Sequence, residues 1–196
     1  VSSVGLDQRR VSGVQFDTAV FTNLTRDHLD YHGTMEAYGA SKKKLFTMPR
    51  LKSAEINLDE AYGISLINDI ASQVEIVTYS QSRAAASVRA ERVAMDSQGI
   101  AMHLVTPIGS GDVRVGLLGS FNLSNLLAVV ATIVSYRSAE AHSQDASAFK
   151  GNLTFPQLAA ALTHLKPVPG RMQIVGAASD LSVVVDYAHT PDGLRS

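Results

Sequence analysis

Between Asn23 and His32 the chain sets two histidines, His28 and His32, two aspartates, Asp27 and Asp30, and an asparagine within ten residues. Carboxylate and amide oxygens with imidazole nitrogens at this density suit a hard divalent cation and the phosphate oxygens it would hold. A run of three lysines, Lys42, Lys43 and Lys44, follows. Taken singly, a histidine in a loop is more often structural than a ligand. A lysine run near a helix C-terminus is also an ordinary solvated face, favoured by the helix dipole. The residue types alone leave both readings open.

Other stretches carry polar groups of the right kind. In VSSVGLDQRR, residues 1–10, small hydroxyls precede a glutamine and two arginines. A guanidinium fork suits a carboxylate or a phosphate, and the same stretch reads as a strand end running into a loop. Asn122 and Asn125 lie three apart, on one face of an expected helix near its N-terminus. Asn122 can cap that helix, and Asn125 can be a buried amide satisfied locally.

The elements that must position these groups follow from periodicity. Residues 15–24 run apolar through Val20 and Phe21 and predict a buried strand. Thr22 and Asn23 then fall at its C-terminal end, where open α/β sheets bind ligands. Residues 35–46 predict a helix with Thr34 as N-cap and Glu36 in its first turn. Gly39 weakens that helix slightly. Residues 51–70 predict a strand and then a helix capped by Asp59, and residues 74–79 a further strand. This β-α-β rhythm predicts a mostly parallel sheet with flanking helices and right-handed crossovers.

Residues 87–94, 100–105 and 113–117 are short, alternating and separated by turn residues. They predict a small antiparallel sheet beside the main one. A glycine-rich lead enters an apolar helix over 119–136. Residues 138–152, polar and rich in serine and alanine, predict a surface insertion or loop, and residues 154–165 a helix. Lys166–Gly170, KPVPG, is a hinge and the expected domain boundary. Residues 182–187, rich in β-branched side chains, predict a buried strand that leads through Ala188–Pro191 to a helix starting at Asp192.

Composition narrows the class. The chain has 196 residues, 45% of them hydrophobic, which suffices for a proper core and fits a soluble globular protein. Seventeen basic and 18 acidic residues give a net charge of −1, so no polybasic surface points to a nucleic-acid partner or an anionic membrane. The absence of cysteine excludes disulfides, thiolate metal sites and a cysteine nucleophile. The apolar stretch over 123–134 is too short to span a bilayer, and no signal peptide is visible. A cytoplasmic monomer is expected. The chain starts at Val1 and ends at Ser196 in an apparent helix start, and it is read as a segment of a longer protein.

The strings themselves go further. FTNLTRDHLDYHG followed by MEAYGASKKKLF resembles the central domain of the Mur ligases, in the branch (MurE) that adds a diamino acid to the UDP-MurNAc-dipeptide of peptidoglycan synthesis. DYAHTPDGL, from Asp186 to Leu194, is similar to the start of that branch's C-terminal domain. Residues 1–167 are thus expected to be the later part of the central ATP-binding domain. Residues 168–196 would begin a second, Rossmann-like α/β domain with its first strand.

The resemblance implies an ATP-dependent amide-bond ligase working through an acyl phosphate, with ATP and Mg2+ as cofactors. It implies that His28 holds the second magnesium ion and that Lys42 is carbamylated and holds the same ion. Lys42 is singled out because the family pattern has the lysine followed by two variable residues, then leucine and an aromatic, as Leu45 and Phe46 stand here. Asp27, Asp30 and His32 would shape the loop. Ser2, Gln8 and Arg10 match positions that contact the muramyl-peptide substrate, and Val4 stands where the family pattern has histidine. The pattern Phe-Asn-x-x-Asn-x-x-Ala assigns Asn122 and Asn125 to the adenine region. Gly-Arg-Met-Glu, here with Gln173 last, assigns Arg171 to an ATP phosphate. Asp186 matches the ribose contact, and His189 lines the nucleotide or the interdomain cleft. The diamino acid is expected to be meso-diaminopimelate. No glycine-rich phosphate loop occurs in the sequence, so the chain by itself is expected to be inactive. The rival readings are a folylpolyglutamate-synthase-like ligase and a non-catalytic nucleotide-binding relic.

Overall fold

The computed structural model describes residues 1–141, 153–175 and 183–188. Six strands form one sheet in sequence order: β1 (Thr18–Phe21), β2 (Ser53–Asn57), β3 (Glu75–Ser80), β4 (Val88–Asp96), β5 (Gly99–Thr106) and β6 (Gly109–Val115). β1 to β4 run parallel, with Phe21 beside Ile56 and Glu55 beside Val77. β4 to β6 are antiparallel. The antiparallel part is therefore an extension of the main sheet. Its link is the short parallel pairing of Tyr79 with Val88 and Ser80 with Arg89.

Alternation along the strands divides the core into two layers. Ala19, Phe21, Ala54 and Ile56 face α3 (Met35–Phe46) and α4 (Ala61–Leu66), where Phe46 and Leu66 are buried against them. Val77, Tyr79, Val88, Ile100 and Leu104 face α5 (Ser120–Ala141) and α6 (Phe155–Thr163) through Leu123, Leu127, Val130 and Leu158. Apolar burial on both faces of the parallel strands is what lets them form. α5 is thus pinned across the sheet with its N-terminal turn at the strands' C-terminal ends.

Local sequence explains the helix limits. The Thr34 hydroxyl accepts the Ala37 N–H at 3.2 Å and starts α3 as expected, a cap that contributes about 1 kcal/mol. Gly39 inside α3 has a packing reason: a Cβ there would meet the ring of Tyr62 from α4. α6 starts where the Gln157 side chain accepts the Thr154 N–H at 3.0 Å, with Pro156 in its first turn.

Four expectations are corrected. Residues 3–7 form a short helix, α1 (Ser3–Asp7), where a strand end was expected, because the Ser2 hydroxyl accepts the Gly5 N–H at 3.1 Å and starts a turn. Asp59 does not cap α4; Glu60 occupies that position without a side-chain bond. The Asp59 carboxylate reaches instead to the end of β3, where the Ser80 and Ser82 hydroxyls (2.6 Å each) and the Gln81 N–H (2.7 Å) converge on it. Of the two readings left open for Asn125, the locally satisfied buried amide is ruled out, because the residue is exposed. Of the last expected strand, Val183–Val185 form β8, paired antiparallel with β7 (Gln173–Val175), and the described residues after it are not strand. Its valines are 55%, 43% and 44% exposed, because among the described residues the two-stranded ribbon has no second layer to bury them. Among the described residues, no helix is long and apolar enough to cross a membrane.

Candidate functional site

The chain leaves β1 at Phe21 and turns at His28 into α2 (Leu29–His32). His28 adopts the left-handed conformation (φ 53°, ψ 24°), which costs a non-glycine residue about 1 kcal/mol. Its N–H donates to Asp27 Oδ1 at 2.8 Å, and its ring lies 3.6 Å from Asp27 Oδ2. The strained backbone turns the imidazole, about half exposed, toward α3. There it meets the Tyr38 ring edge-on, with 6.1 Å between centroids.

Tyr38 is the hub of this corner. It is buried, and burial pushes its phenol above the ordinary tyrosine value. His32 stacks on it at 5.2 Å and bonds the Ser3 hydroxyl at 2.9 Å. The Ser41 hydroxyl donates to the Ser3 carbonyl at 2.8 Å, so α1 is clamped to α3. Lys42, one turn after Tyr38, places its Nζ 5.0 Å from the same ring. His28 and Lys42 thus each contact the Tyr38 ring. His32 has a structural task in fixing that ring.

The three lysines are sorted by their partners. Lys43 pairs with Asp69 at 2.7 Å, and Lys44 pairs with Asp7 at 2.5 Å. Lys42 has neither a carboxylate within ion-pair distance among the described residues nor full exposure. Burial pulls its amine below the usual lysine value, with the Asp27 and Glu60 charges opposing. The neutral amine is the form that can attack an electrophile, and burial of Lys42 acts in its direction.

A second group of residues gathers at the far side of the strand ends. Leu117, Phe121, Asn122, Asn125, Lys166 and Arg171 line a cleft of about 470 Å³ between α5 and the 165–171 segment. The Asn122 amide donates to the Leu118 carbonyl at 2.7 Å. Asn125 presents its amide to solvent at the cleft. The Arg171 guanidinium lies over the Tyr187 ring at 4.8 Å. The Asp186 carboxylate accepts the N–H groups of Met172 (3.0 Å) and Ala188 (2.7 Å), tying both segments together. His189 lies outside the described residues.

Ser2 is spent in part as the cap of α1, and Gln8 closes that helix. Arg10 is exposed just beyond it. Asn57 and Asp59, which sequence reasoning did not place in the site, bridge the two groups. The Asn57 amide donates to the Thr22 carbonyl at 2.8 Å and reaches Ser124 Oγ of α5 at 3.5 Å. Gln81, held by Asp59, donates to the Ser120 carbonyl at 3.2 Å. The signal for Tyr38 was its spacing of four from Lys42 on a helix. Asn57 and Asp59 carried no such local signal.

A mostly parallel α/β sheet with polar groups at its carboxyl ends is the architecture of a nucleotide-handling enzyme domain. The chain belongs to the Mur ligase family: the Mur ligase middle domain matches residues 1–133. It is 48% identical over 196 residues to the UDP-N-acetylmuramoyl-L-alanyl-D-glutamate–2,6-diaminopimelate ligase of Chromobacterium violaceum, covering 100% of this chain and 36% of that one. A solved structure of a ligase with that name superposes with a TM-score of 0.77 at 37% identity, covering 99% of this chain and 37% of the other. MurF ligase from Thermotoga maritima in complex with ADP shares the fold, with a TM-score of 0.71 at 16% identity over 95% of this chain and 39% of its own. The chain thus spans somewhat over a third of the length of the curated relatives it matches.

Proposed function

We propose that the protein carrying this chain is a cytoplasmic, monomeric ATP-dependent ligase that joins meso-diaminopimelate to UDP-MurNAc-L-Ala-D-Glu. The similarity over the whole chain to ligases named for that reaction supports the reading. The observation that carries it is local: of three adjacent lysines, Lys42 is the one with no ion pair to a carboxylate among the described residues, and its amine and the His28 ring both meet the Tyr38 ring.

A lysine so placed can add carbon dioxide. Its neutral amine attacks the carbon, one proton leaves to solvent, and an anionic carbamate remains. The donor set then fits magnesium. Among the described residues no cluster of three histidine, aspartate or glutamate side chains could hold a metal by itself. A carbamate oxygen from Lys42 and an imidazole nitrogen from His28 would supply two ligands and leave positions for water and phosphate oxygens, as magnesium prefers. When bound, the ion neutralises charge developing on the phosphates.

The chain's own groups then divide the remaining work. Asn122 and Asn125 offer amide donors and acceptors to adenine, and Arg171 a fork to a phosphate. Asp186 keeps lone pairs free beyond its two backbone bonds and can accept a ribose hydroxyl. Ser2 can still donate its proton, and Gln8 and Arg10 stand exposed for the muramyl peptide's polar groups. The substrate carboxylate takes the γ-phosphoryl group of ATP to give an acyl phosphate and ADP. The amine of the diamino acid attacks that carbon, and the tetrahedral intermediate expels phosphate to leave the amide. Residues 1–167 would belong to the ATP-binding domain and residues 168–196 to the next one, so that closing the two completes the site.

The test is phosphate release by the full-length protein with ATP, the UDP-MurNAc-dipeptide and meso-diaminopimelate. Activity that falls at least a hundredfold in Lys42→Ala, with partial recovery on adding a short carboxylic acid, supports the assignment. An unimpaired Lys42→Ala protein removes it.

A further inference from the structure

Glu55 sits in the middle of β2 with 0% of its surface exposed, and nothing in the proposed reaction uses it. Its strand neighbours are Val20 of β1 and Val77 of β3. Its side chain crosses to α5, where Oε1 lies 2.5 Å from the Ser135 hydroxyl oxygen. That same hydroxyl lies 3.1 Å from the Thr132 carbonyl. Oε2 has no hydrogen-bond partner, and no lysine or arginine forms an ion pair with Glu55 among the described residues.

Counting protons decides between two states. The Ser135 hydroxyl has one proton for two acceptors. With Glu55 ionised, that proton goes to Oε1, and a full negative charge remains in the core with hydroxyl donors but no cationic partner among the described residues, a costly arrangement. With Glu55 protonated, Oε1–H donates to Ser135 and Ser135 donates to Thr132. Each proton then has one acceptor, and only a neutral oxygen is left unpaired.

We infer that Glu55 is carried as a neutral carboxylic acid whose proton bonds the centre of the sheet to α5, so that losing this proton loosens the helix that lines the cleft. Burial pushes the carboxyl above its ordinary range, against the pull of the Ser135 and Ser53 hydroxyls. The groups facing it leave that balance in place. From β3, the exposed Glu75 adds like charge, and Tyr79 is a neutral phenol donating to the Phe21 carbonyl at 2.9 Å. β1 carries no titratable side chain. Among the α5 residues whose side chains are described, Thr132 and Ser135 bring hydroxyls to this face, with Tyr136 exposed beyond them.

The sign follows from linkage. A folded-state value raised above that of the unfolded chain gives stability that is complete below the ordinary glutamate range and is lost as pH rises through the folded-state value. This device stands apart from the ligase reading and holds for the 196-residue chain itself.

Infrared spectra and urea unfolding of the chain and its Glu55→Gln variant test it. At about pH 6, where exposed carboxylates are ionised, the wild-type chain should keep the C=O stretch of one protonated carboxyl, and Glu55→Gln should lack it. Between the ordinary glutamate range and the folded-state value, the wild-type unfolding constant should climb by up to about tenfold per pH unit relative to Glu55→Gln, and it should level off above the folded-state value. Should Glu55→Gln fail to fold, Ser135→Ala must shift the wild-type band, because it removes the proton's acceptor. A missing band, a band unmoved in Ser135→Ala, or parallel unfolding profiles would each overturn the inference.

Discussion

The Lys42 Nζ stands 5.0 Å from the centre of the Tyr38 ring, one helical turn earlier on α3. The pairing follows from the four-residue spacing, which stacks side chains on one face of a helix. A cation over an aromatic face gains about 1 kcal/mol, more where water is excluded. His28 and His32 reach the same ring from α2 and its leading turn. Tyr38 therefore fixes where both candidate ligands stand.

Removing the ring should show this. Tyr38→Leu should cost about 2 kcal/mol of stability, since it hollows a buried site. In proton spectra, the Lys42 ε-methylene should be shifted upfield by the ring in the wild type, still shifted in Tyr38→Phe, and unshifted in Tyr38→Leu. An unshifted wild-type signal contradicts the contact.

The neighbouring lysines should behave differently. Lys43 and Lys44 hold partly exposed ion pairs with Asp69 and Asp7, and such pairs contribute at most about 1 kcal/mol. Lys43→Ala and Lys44→Ala should each lower stability by no more than that, measured by urea unfolding. Activity of the full-length protein should stay near wild type in both. Loss of activity in either variant comparable to Lys42→Ala would mean that the wrong lysine has been assigned.

Asp59 should make the fold acid-sensitive. Burial raises its carboxyl, but bonds from Ser80, Ser82 and the Gln81 N–H outweigh burial and hold it below the ordinary aspartate value. A depressed folded-state value gives stability that is present above the unfolded value and is lost as pH falls through the folded one. The wild-type chain should therefore lose stability steeply in acid, and Asp59→Asn should start less stable and show a flatter acid limb. Equal acid slopes would separate Asp59 from this role.

Gly63→Ala should destabilise the chain by about 2 kcal/mol, although helix propensity alone predicts a gain. A Cβ at Gly63 in α4 would meet the Asn57 carbonyl and approach the Phe21 ring at 3.1 Å. Backbone at the end of β2 cannot give way cheaply. A raised melting temperature for Gly63→Ala would show that α4 packs less closely than this.

What the sequence disclosed, and what it hid, divides along physical lines. α3 was legible to the residue, because Thr34, Glu36 and the apolar positions around Tyr38 all point to one helix. The parallel strands were legible because burial on both faces leaves continuous apolar runs. The single sheet was not, since nothing local in Val88–Asp96 says that it pairs with Tyr79 and Ser80 as well as with β5. Asp59 looked like a cap because caps are read from the next few residues, while its partners lie more than twenty positions away. Asn125 reads as buried from the apolar residues around it, and only the helix's rotation over the sheet shows that it faces the cleft. Glu55 lies inside a strand whose five residues are all buried, a place where charge is not expected at all.

Carbon-13 spectra of the 196-residue chain in labelled bicarbonate test the central claim most directly. The wild-type chain should show a carbamate resonance that Lys42→Ala lacks. Added manganese should broaden that resonance, and His28→Ala should blunt the broadening while leaving the resonance in place. A wild-type spectrum without a carbamate signal, or the same signal in Lys42→Ala, would contradict the assignment of Lys42. Broadening that His28→Ala leaves unchanged would contradict the shared ion.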